Sequence, residues 1–455
     1  MNAINLPTLT IFPLFLGIYW LTRKHLLANN LILLCGGYLI YAWGNLWWGA
    51  LLLAATLMDY ALMRHAFPDA KFRQAALWFG ILTNVAIWLF FKYPLAAGWL
   101  INSETQIALP LGMSFYMLRK ISFLVQWRHQ EENVVSFLEY ALYVSFIPQL
   151  FSGPIEKPQA LLPQICQRRK INWKAVVAAG SLLMAGLFKK IVVADNLRII
   201  VSQIFSLDLP SRLLLATGSL AYTFEILADF SAYTDFSRGA ALLLGFETSE
   251  NFNDPYLALT PQDFWNRWHI TFSHWLRDTI FFPLRRMLLN SPLRSYSGLV
   301  LALPPLVTML LSGIWHGTGW NYLLWGLYYG LLIVLYQVLG IDAAIRRAGA
   351  LKVLGWPLMF TLIVAGWGLF RAPTAAWFFT ILASAPWGFS GVNLIAFIAY
   401  IPAILLFILP IILQTIINSS GRSRSFLQPV FGAAAMVALV VFIGSGLQDF
   451  VYFRF

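Results

Sequence analysis

The sequence predicts an all-α, polytopic integral membrane protein, and three observations predict it. Of its 455 residues 59% are hydrophobic and only 11% charged, with a mean hydropathy of +0.70, whereas a soluble protein carries about 25% charged residues. Apolar runs recur from Leu6 almost to the C-terminus, many of them near the roughly 17–25 residues of a helical span. None shows the alternation of a transmembrane strand, which argues against a β-barrel.

Taken in order, the runs are 6–22, 29–43, 46–63, 76–99, 107–127, 175–194, 212–228, 298–311, 321–340, 353–370, 396–417 and 426–447. They predict roughly 11–13 transmembrane or re-entrant helices. The first run lacks a preceding basic stretch, and Arg23, Lys24 and His25 follow it. This pattern predicts an uncleaved first helix with its N-terminus outside. The basic segments 64–73, 119–129, 168–174, 285–294, 346–352 and 422–424 are then cytoplasmic loops, and the regions near Gly44 and Asn102 lie outside. Orientation and anionic lipid absorb most of the +12 charge, so the expected partner is the lipid bilayer and not nucleic acid. Cys35 and Cys166 are too few for a disulfide scaffold or a thiolate metal site, and both read as structural. No soluble domain, linker or internal repeat interrupts the runs, so residues 1–455 read as one membrane domain.

Within it, five segments stand out. The stretch 137–163 is apolar and then punctuated by Pro148, Gly153, Pro154, Pro158 and Pro163. It reads either as a re-entrant hairpin buried in protein or as a kinked helix and loop. Glu225, Asp229 and Asp235, with Arg238 nearby, occupy an otherwise apolar stretch. Buried carboxylates must be paired or neutral, so they either hold a bundle together or line an active tunnel. Asn251-Phe-Asn-Asp-Pro-Tyr256, which carries Asn251 and Asn253, is a turn by composition.

Thr260-Pro-Gln-Asp263 is a helix start, with Thr260 as N-cap and Pro261 in the first turn. The helix is expected to run to about Phe282, where Pro283 would end it. Helical spacing sorts Trp265, Trp268, Phe272, Trp275 and Leu276 onto one face, and Asp263, Arg267, Thr271, His274, Arg277 and Asp278 onto the other. His269 falls on the aromatic face. His274 falls among the charges and reads as solvated. Finally, Leu311-Ser-Gly-Ile-Trp-His-Gly-Thr-Gly-Trp320 places His316 and three glycines in apolar sequence. An ionisable group at membrane depth is a functional group by default.

Together these residues resemble the membrane-bound O-acyltransferase (MBOAT) superfamily, most closely its alginate O-acetylase branch and related bacterial polysaccharide O-acyltransferases. The resemblance rests on Pro110-Leu-Gly-Met-Ser-Phe-Tyr116, Gly186-Leu-Phe-Lys-Lys190, Ala194-Asp-Asn196, Asp229-Phe-Ser231, Glu250-Asn-Phe-Asn253 and Asp263-Phe-Trp-Asn-Arg-Trp-His-Ile-Thr271. Trp275-Leu-Arg-Asp278, Ser312-Gly-Ile-Trp-His-Gly317 and the terminal Tyr452-Phe-Arg-Phe455 complete it. It implies helices around a central tunnel, with N-terminal helices in 1–106, a catalytic core in 107–340 and C-terminal helices in 341–455. It also implies an essential histidine at His316 and a second polar site at His269, held by His or Asn in different branches. Ala232, where relatives often have Gly, and Arg285-Arg286, where they often have a Gly pair, depart from the pattern.

The chemistry implied is acyl transfer from a cytosolic thioester, such as acetyl-CoA, to an extracytoplasmic hydroxyl. Acceptors would be a cell-surface polysaccharide or an extracytoplasmic acyltransferase or acceptor protein. Such transfer needs a base, an oxyanion stabiliser and exclusion of water. His316 is the candidate base and Ser312, one turn earlier, a candidate to fix its tautomer. His269 would polarise the carbonyl or orient His316. Asn266 and the indoles of Trp265 and Trp315 are further donors, while Asn251, Asn253, Asp229 and Asp235 line the tunnel. Arg285, Arg286 and Arg294, or alternatively Arg168, Arg169 and Lys170, would attract the donor phosphates. No resident cofactor or metal is expected. Two other readings are open: a proton-coupled transporter and a structural subunit of a polysaccharide export complex.

Overall fold

A computed structural model describes residues 6–66, 70–96, 110–128, 135–347, 349–419, 424–442 and 450. Every regular element among them is helical. Among the described residues nine helices are long and apolar enough to cross a membrane, and Ile11–Leu21, Ala375–Ser384 and Val430–Phe442 are shorter apolar helices. The chain forms two compact units, residues 1–183 with 234–250, and residues 184–233 with 251–455.

The first unit contains α1 (Leu6–Leu21), α2 (Leu26–Gly44), α3 (Leu46–Ala66), α4 (Ala70–Ala96), α5 (Met113–Trp127), α6 (Phe137–Val144) and α7 (Pro158–Ile165). Buried polar groups tie it together. Asp59 on α3 meets Lys120 Nζ at 3.3 Å, and its carboxylate accepts from Asn84 Nδ2 at 3.0 and 3.1 Å and from the Tyr140 hydroxyl at 3.0 Å. Arg119 donates to the carbonyls of Tyr143 and Gln149. The segment 119–129 is therefore not a cytoplasmic loop in its described part: Arg119 and Lys120 are buried in mid-helix. Local charge counting fails here because the counter-charge, Asp59, lies far upstream. His129 is outside the described residues.

The punctuated stretch 137–163 breaks as its prolines require. Helix α6 opens with a Ser136–Glu139 capping box, a single 3₁₀ turn follows at Ile147–Gln149, and α7 starts at Pro158. The irregular backbone between is largely buried, so its polar groups need partners in the protein. Arg119 serves the Gln149 carbonyl, and the Tyr143 hydroxyl donates to the carbonyl of Glu156 at 2.8 Å. Arg169 is buried too, donating to Asn29 Oδ1 at 2.9 Å and Asn30 Oδ1 at 2.5 Å. It is committed to α2, and so drops out of the alternative phosphate cluster, while Arg168 and Lys170 are exposed.

Helices α8 (Trp173–Phe188) and α10 (Arg212–Leu243) contribute to both units. The second unit adds α9 (Asp195–Phe205), α11 (Pro261–Arg267), α12 (Ile270–Leu276), α13 (Phe282–Leu289), α14 (Ser297–His316), α15 (Trp320–Val338), α16 (Ile341–Arg347), α17 (Gly349–Arg371), α18 (Ala375–Ser384), α19 (Gly391–Ser419) and α20 (Arg424–Phe442). Its tightest pair is the α14–α15 hairpin. Gly313 lies against the backbone of Tyr322, and Gly326 against that of Met309, where any side chain would collide. Small residues of this kind let membrane helices touch backbone to backbone.

Candidate active site

The expected single helix from Thr260 to Phe282 is broken in the structure. Its start is as expected, with Thr260 Oγ1 accepting from Asp263 N–H at 3.2 Å. The break comes at Trp268–His269, where His269 takes left-handed backbone angles (φ 42°, ψ 54°). Such a conformation costs about 1–3 kcal/mol for a non-glycine residue, so something must hold it. The turn at 251–253 does: the Asn251 carbonyl accepts from Ile270 N–H at 2.9 Å, and Asn253 N–H donates to the Arg267 carbonyl at 3.0 Å. These two rungs give partners to backbone groups at the break.

Pro283 does not end the helical run either. A π-helical turn at Arg277–Phe281 precedes α13, and Pro283 sits in the first turn of α13. In the π-helical turn the Phe282 N–H bonds the Arg277 carbonyl, five residues back, and this wider register carries the run past a proline that has no N–H to give.

The side chain of Asn251 fixes the ring of His269. Its Oδ1 accepts from Thr271 N–H at 3.2 Å and from Thr271 Oγ1 at 2.9 Å. A backbone N–H can only donate, so the atom it faces is the oxygen. His269 Nδ1, 3.1 Å from the same oxygen, must then carry a proton, and in the neutral ring Nε2 is the acceptor. Complete burial pushes the His269 pKa down to about 3, so the ring is neutral at physiological pH.

His316 is the last residue of α14 and is buried. Its ring lies edge-on to Trp325 at 5.2 Å and Phe370 at 5.3 Å. The two histidines share two neighbours. Phe272 is 5.0 Å from His269 and 5.8 Å from His316; Trp315 is 6.5 Å from His269 and 4.9 Å from His316. Phe272 and Trp315 themselves pack at 4.4 Å, and Phe230 closes on His269 at 4.7 Å.

Other expected site residues divide. Trp265 and Trp315 join the aromatic cluster, but Asn266 is exposed, on the face of α11 turned away from the buried Phe264. Asn253 is exposed as well and acts through its backbone. Ser312 is buried, yet its Oγ makes no hydrogen bond to any described residue. It therefore does not set the His316 tautomer, although α14 is continuous between them.

Asp229 is ion-paired to Lys190 at 2.9 Å and Arg198 at 3.1 Å; Arg198 also meets Glu225 at 3.1 Å, and Lys190 meets Asp195 at 2.8 Å. Buried Asp235, on the same helix, falls in the first unit. Arg285, Arg286 and Arg294 are exposed on and just after α13. Among the described residues no cluster of His, Cys, Asp and Glu could hold a metal ion.

Sequence reading missed Thr271 as a site residue, having placed it on the solvated face. It also missed Trp325, Tyr329 and Phe370. The signal for the first two of these was present: Asn321, Trp325 and Tyr329 recur every fourth residue on α15, and all are buried.

The family model for "MBOAT, membrane-bound O-acyltransferase family" matches residues 106–365. A "probable alginate O-acetylase" of Azotobacter vinelandii is 30% identical over 440 residues, 92% of this chain and 85% of that protein. Another from Pseudomonas aeruginosa is 32% identical, over 79% of this chain and 70% of its own length. A peptidoglycan O-acetyltransferase of Helicobacter pylori is 30% identical, over 79% and 74%. With its apolar helices, its histidine pair and these matches, the chain belongs to the membrane-bound O-acyltransferase family and is a multi-pass membrane enzyme that transfers acyl groups to hydroxyls.

Proposed function

We propose that this enzyme O-acetylates a cell-surface polysaccharide, taking acetyl from a cytosolic thioester such as acetyl-CoA and delivering it outside the cytoplasmic membrane. The names of its relatives support a polysaccharide or peptidoglycan acceptor, reached directly or through an extracytoplasmic acyltransferase or acceptor protein. The observation that carries the reading is the convergence of His316 and His269 on one pair of rings, Phe272 and Trp315.

In this reading His316 takes the proton of the attacking hydroxyl, whose oxygen adds to the thioester carbonyl carbon. The resulting oxyanion collapses, the C–S bond breaks, and the thiolate leaves and is protonated. A neutral imidazole is the side chain suited to that proton near pH 7, and the carbonyl end of α14 favours the imidazolium that forms. His269 presents a lone pair at Nε2, which suits accepting from the hydroxyl or from His316 and not polarising a carbonyl. Exposed Arg285, Arg286 and Arg294 attract the donor phosphates from the inner side. The turn at 317–320, with Trp320 exposed, lies toward the acceptor side. The N-terminus is outside and the membrane is the inner one. A proton-coupled transporter is the weaker reading, since Asp229 is held in ion pairs to two cations.

The test is His316→Ala in membranes supplied with labelled acetyl-CoA. A loss of at least about 10²–10⁴-fold in transfer is expected, with the protein still folded. Wild-type turnover by folded His316→Ala overturns the assignment. Single cysteines at Arg64 and Lys352, in a chain lacking Cys35 and Cys166, should resist an impermeant reagent in intact cells; modification would invert the topology.

A further inference from the structure

Beside His316 begins a group of buried hydrogen-bond donors that have no acceptor among the described residues. Trp265 Nε1, Trp325 Nε1 and Tyr329 Oη are all buried, and none has a hydrogen-bond partner among the described residues. Trp325 and Tyr329 are completely buried side chains. The three rings form a triangle: 5.7 Å between Trp265 and Trp325, 5.1 Å between Trp265 and Tyr329, and 5.4 Å between Trp325 and Tyr329. One corner, Trp325, is the ring that packs edge-on to His316 at 5.2 Å.

The arrangement is held from outside. Gly366 on α17 leaves the space for the Tyr329 hydroxyl, since a Cβ there would lie 2.9 Å from Oη. Close backbone packing at Gly326 pins Trp325.

A buried donor left without an acceptor bears the full penalty of its desolvation. Three such donors on one triangle of rings, a corner of which packs against the candidate base, leave a deficit that an acceptor oxygen would relieve. A tryptophan N–H can only donate, so the missing partner is not a cation. The surroundings are aromatic and carry no counter-charge, which suits an uncharged ligand that becomes negative only during reaction. An acyl carbonyl fits this description: it is neutral when bound and carries an oxyanion at the tetrahedral stage.

Resting on the acyl-transfer reading above, we propose that Trp265, Trp325 and Tyr329 form the seat of the transferred acyl group, their N–H and O–H groups donating to its carbonyl oxygen as negative charge develops. His316 handles the hydroxyl proton on the other side of the reacting carbon.

Trp325→Phe and Tyr329→Phe, alone and together, remove donors while keeping rings. The assay uses inside-out membrane vesicles from native cells, which hold the acceptor and any partner, with [¹⁴C]acetyl-CoA added and alkali-labile label counted. Each single variant should lose roughly 10- to 1,000-fold in kcat with little change in the KM for acetyl-CoA, because the donors act in the transition state. Melting temperatures should hold or rise. Wild-type rates in both singles and the double, with His316→Ala inactive, overturn the seat and leave the acyltransferase reading standing. A raised KM at unchanged kcat also overturns it. If wild-type vesicles incorporate no alkali-labile label, the acetyl-transfer reading itself falls.

Discussion

Two buried polar regions of the second unit differ in how they are completed. Around Asp229, two cations and three carboxylates pair as ions, with Lys190 and Arg198 each within 3.1 Å of an acid. Around His316, neutral rings offer donors that no described residue accepts. The first set is charged and pairs within itself, and removing one member takes a counter-charge from buried partners. The second is neutral, and its donors have no acceptor among the described residues. On the proposal above, the difference separates residues that hold the bundle from residues that meet a substrate.

The comparison breaks most visibly at Asp229. Asp229→Ala takes from buried Lys190 and Arg198 the one carboxylate that both of them meet, and breaking a buried pair costs about 3–5 kcal/mol. The expected result is a sharp loss of folded protein in detergent, read by size-exclusion recovery and thermal melting. His316→Ala should leave both measures near wild type. If the two variants behave alike, the division into holding and working residues is wrong.

A smaller effect separates the histidines by pH. Burial holds the His269 pKa near 3, against 6.5 for the ordinary imidazole. Above about pH 6.5 the ring is neutral in the folded and unfolded chain alike, and it contributes nothing to pH dependence. As pH falls from about 6.5 towards 3, the unfolded chain takes up a proton that the folded one does not, so stability declines across that window. Melting curves at pH 7.5 and 5.0 should therefore diverge more for wild type than for His269→Asn. Equal divergence would show that His269 is solvated in the working protein. The acid limb of the rate profile should survive His269→Asn, since His269 does not titrate there.

The smallest effect concerns the scaffold of the break. Thr260→Ala removes the cap of α11 and should cost about 1 kcal/mol, seen as a modest drop in melting temperature with kcat almost unchanged. A large loss of kcat would mean that α11 sets Trp265 more delicately than its packing implies.

The sequence carried the membrane character, the helix start at Thr260 and the place of His316 inside an apolar helix, because each is written locally in composition or spacing. Periodicity could not show the break at His269. Nothing in a 3.6-residue repeat marks a left-handed residue that is not glycine, and the rungs that stabilise it come from the turn at 251–253. The burial of Arg119 and Lys120 was hidden for a similar reason, since Asp59 and the Tyr143 and Gln149 carbonyls are brought to them only by folding. Trp325 and Tyr329 look like ordinary membrane aromatics until their donors are seen to lack acceptors.

The left-handed backbone at His269 also narrows what position 269 can become. Besides glycine, asparagine, aspartate and histidine are the residues that enter this region most readily. That short list contains both side chains the resemblance assigns to this position, His and Asn, so backbone geometry alone can account for the alternation before any chemistry is invoked. A library built to retune the site should vary position 269 only within that set, because a β-branched or bulky replacement would work against the turn and strain the rungs to Asn251 and Asn253. Freedom to diversify lies instead at the rings around it, whose helices keep ordinary angles.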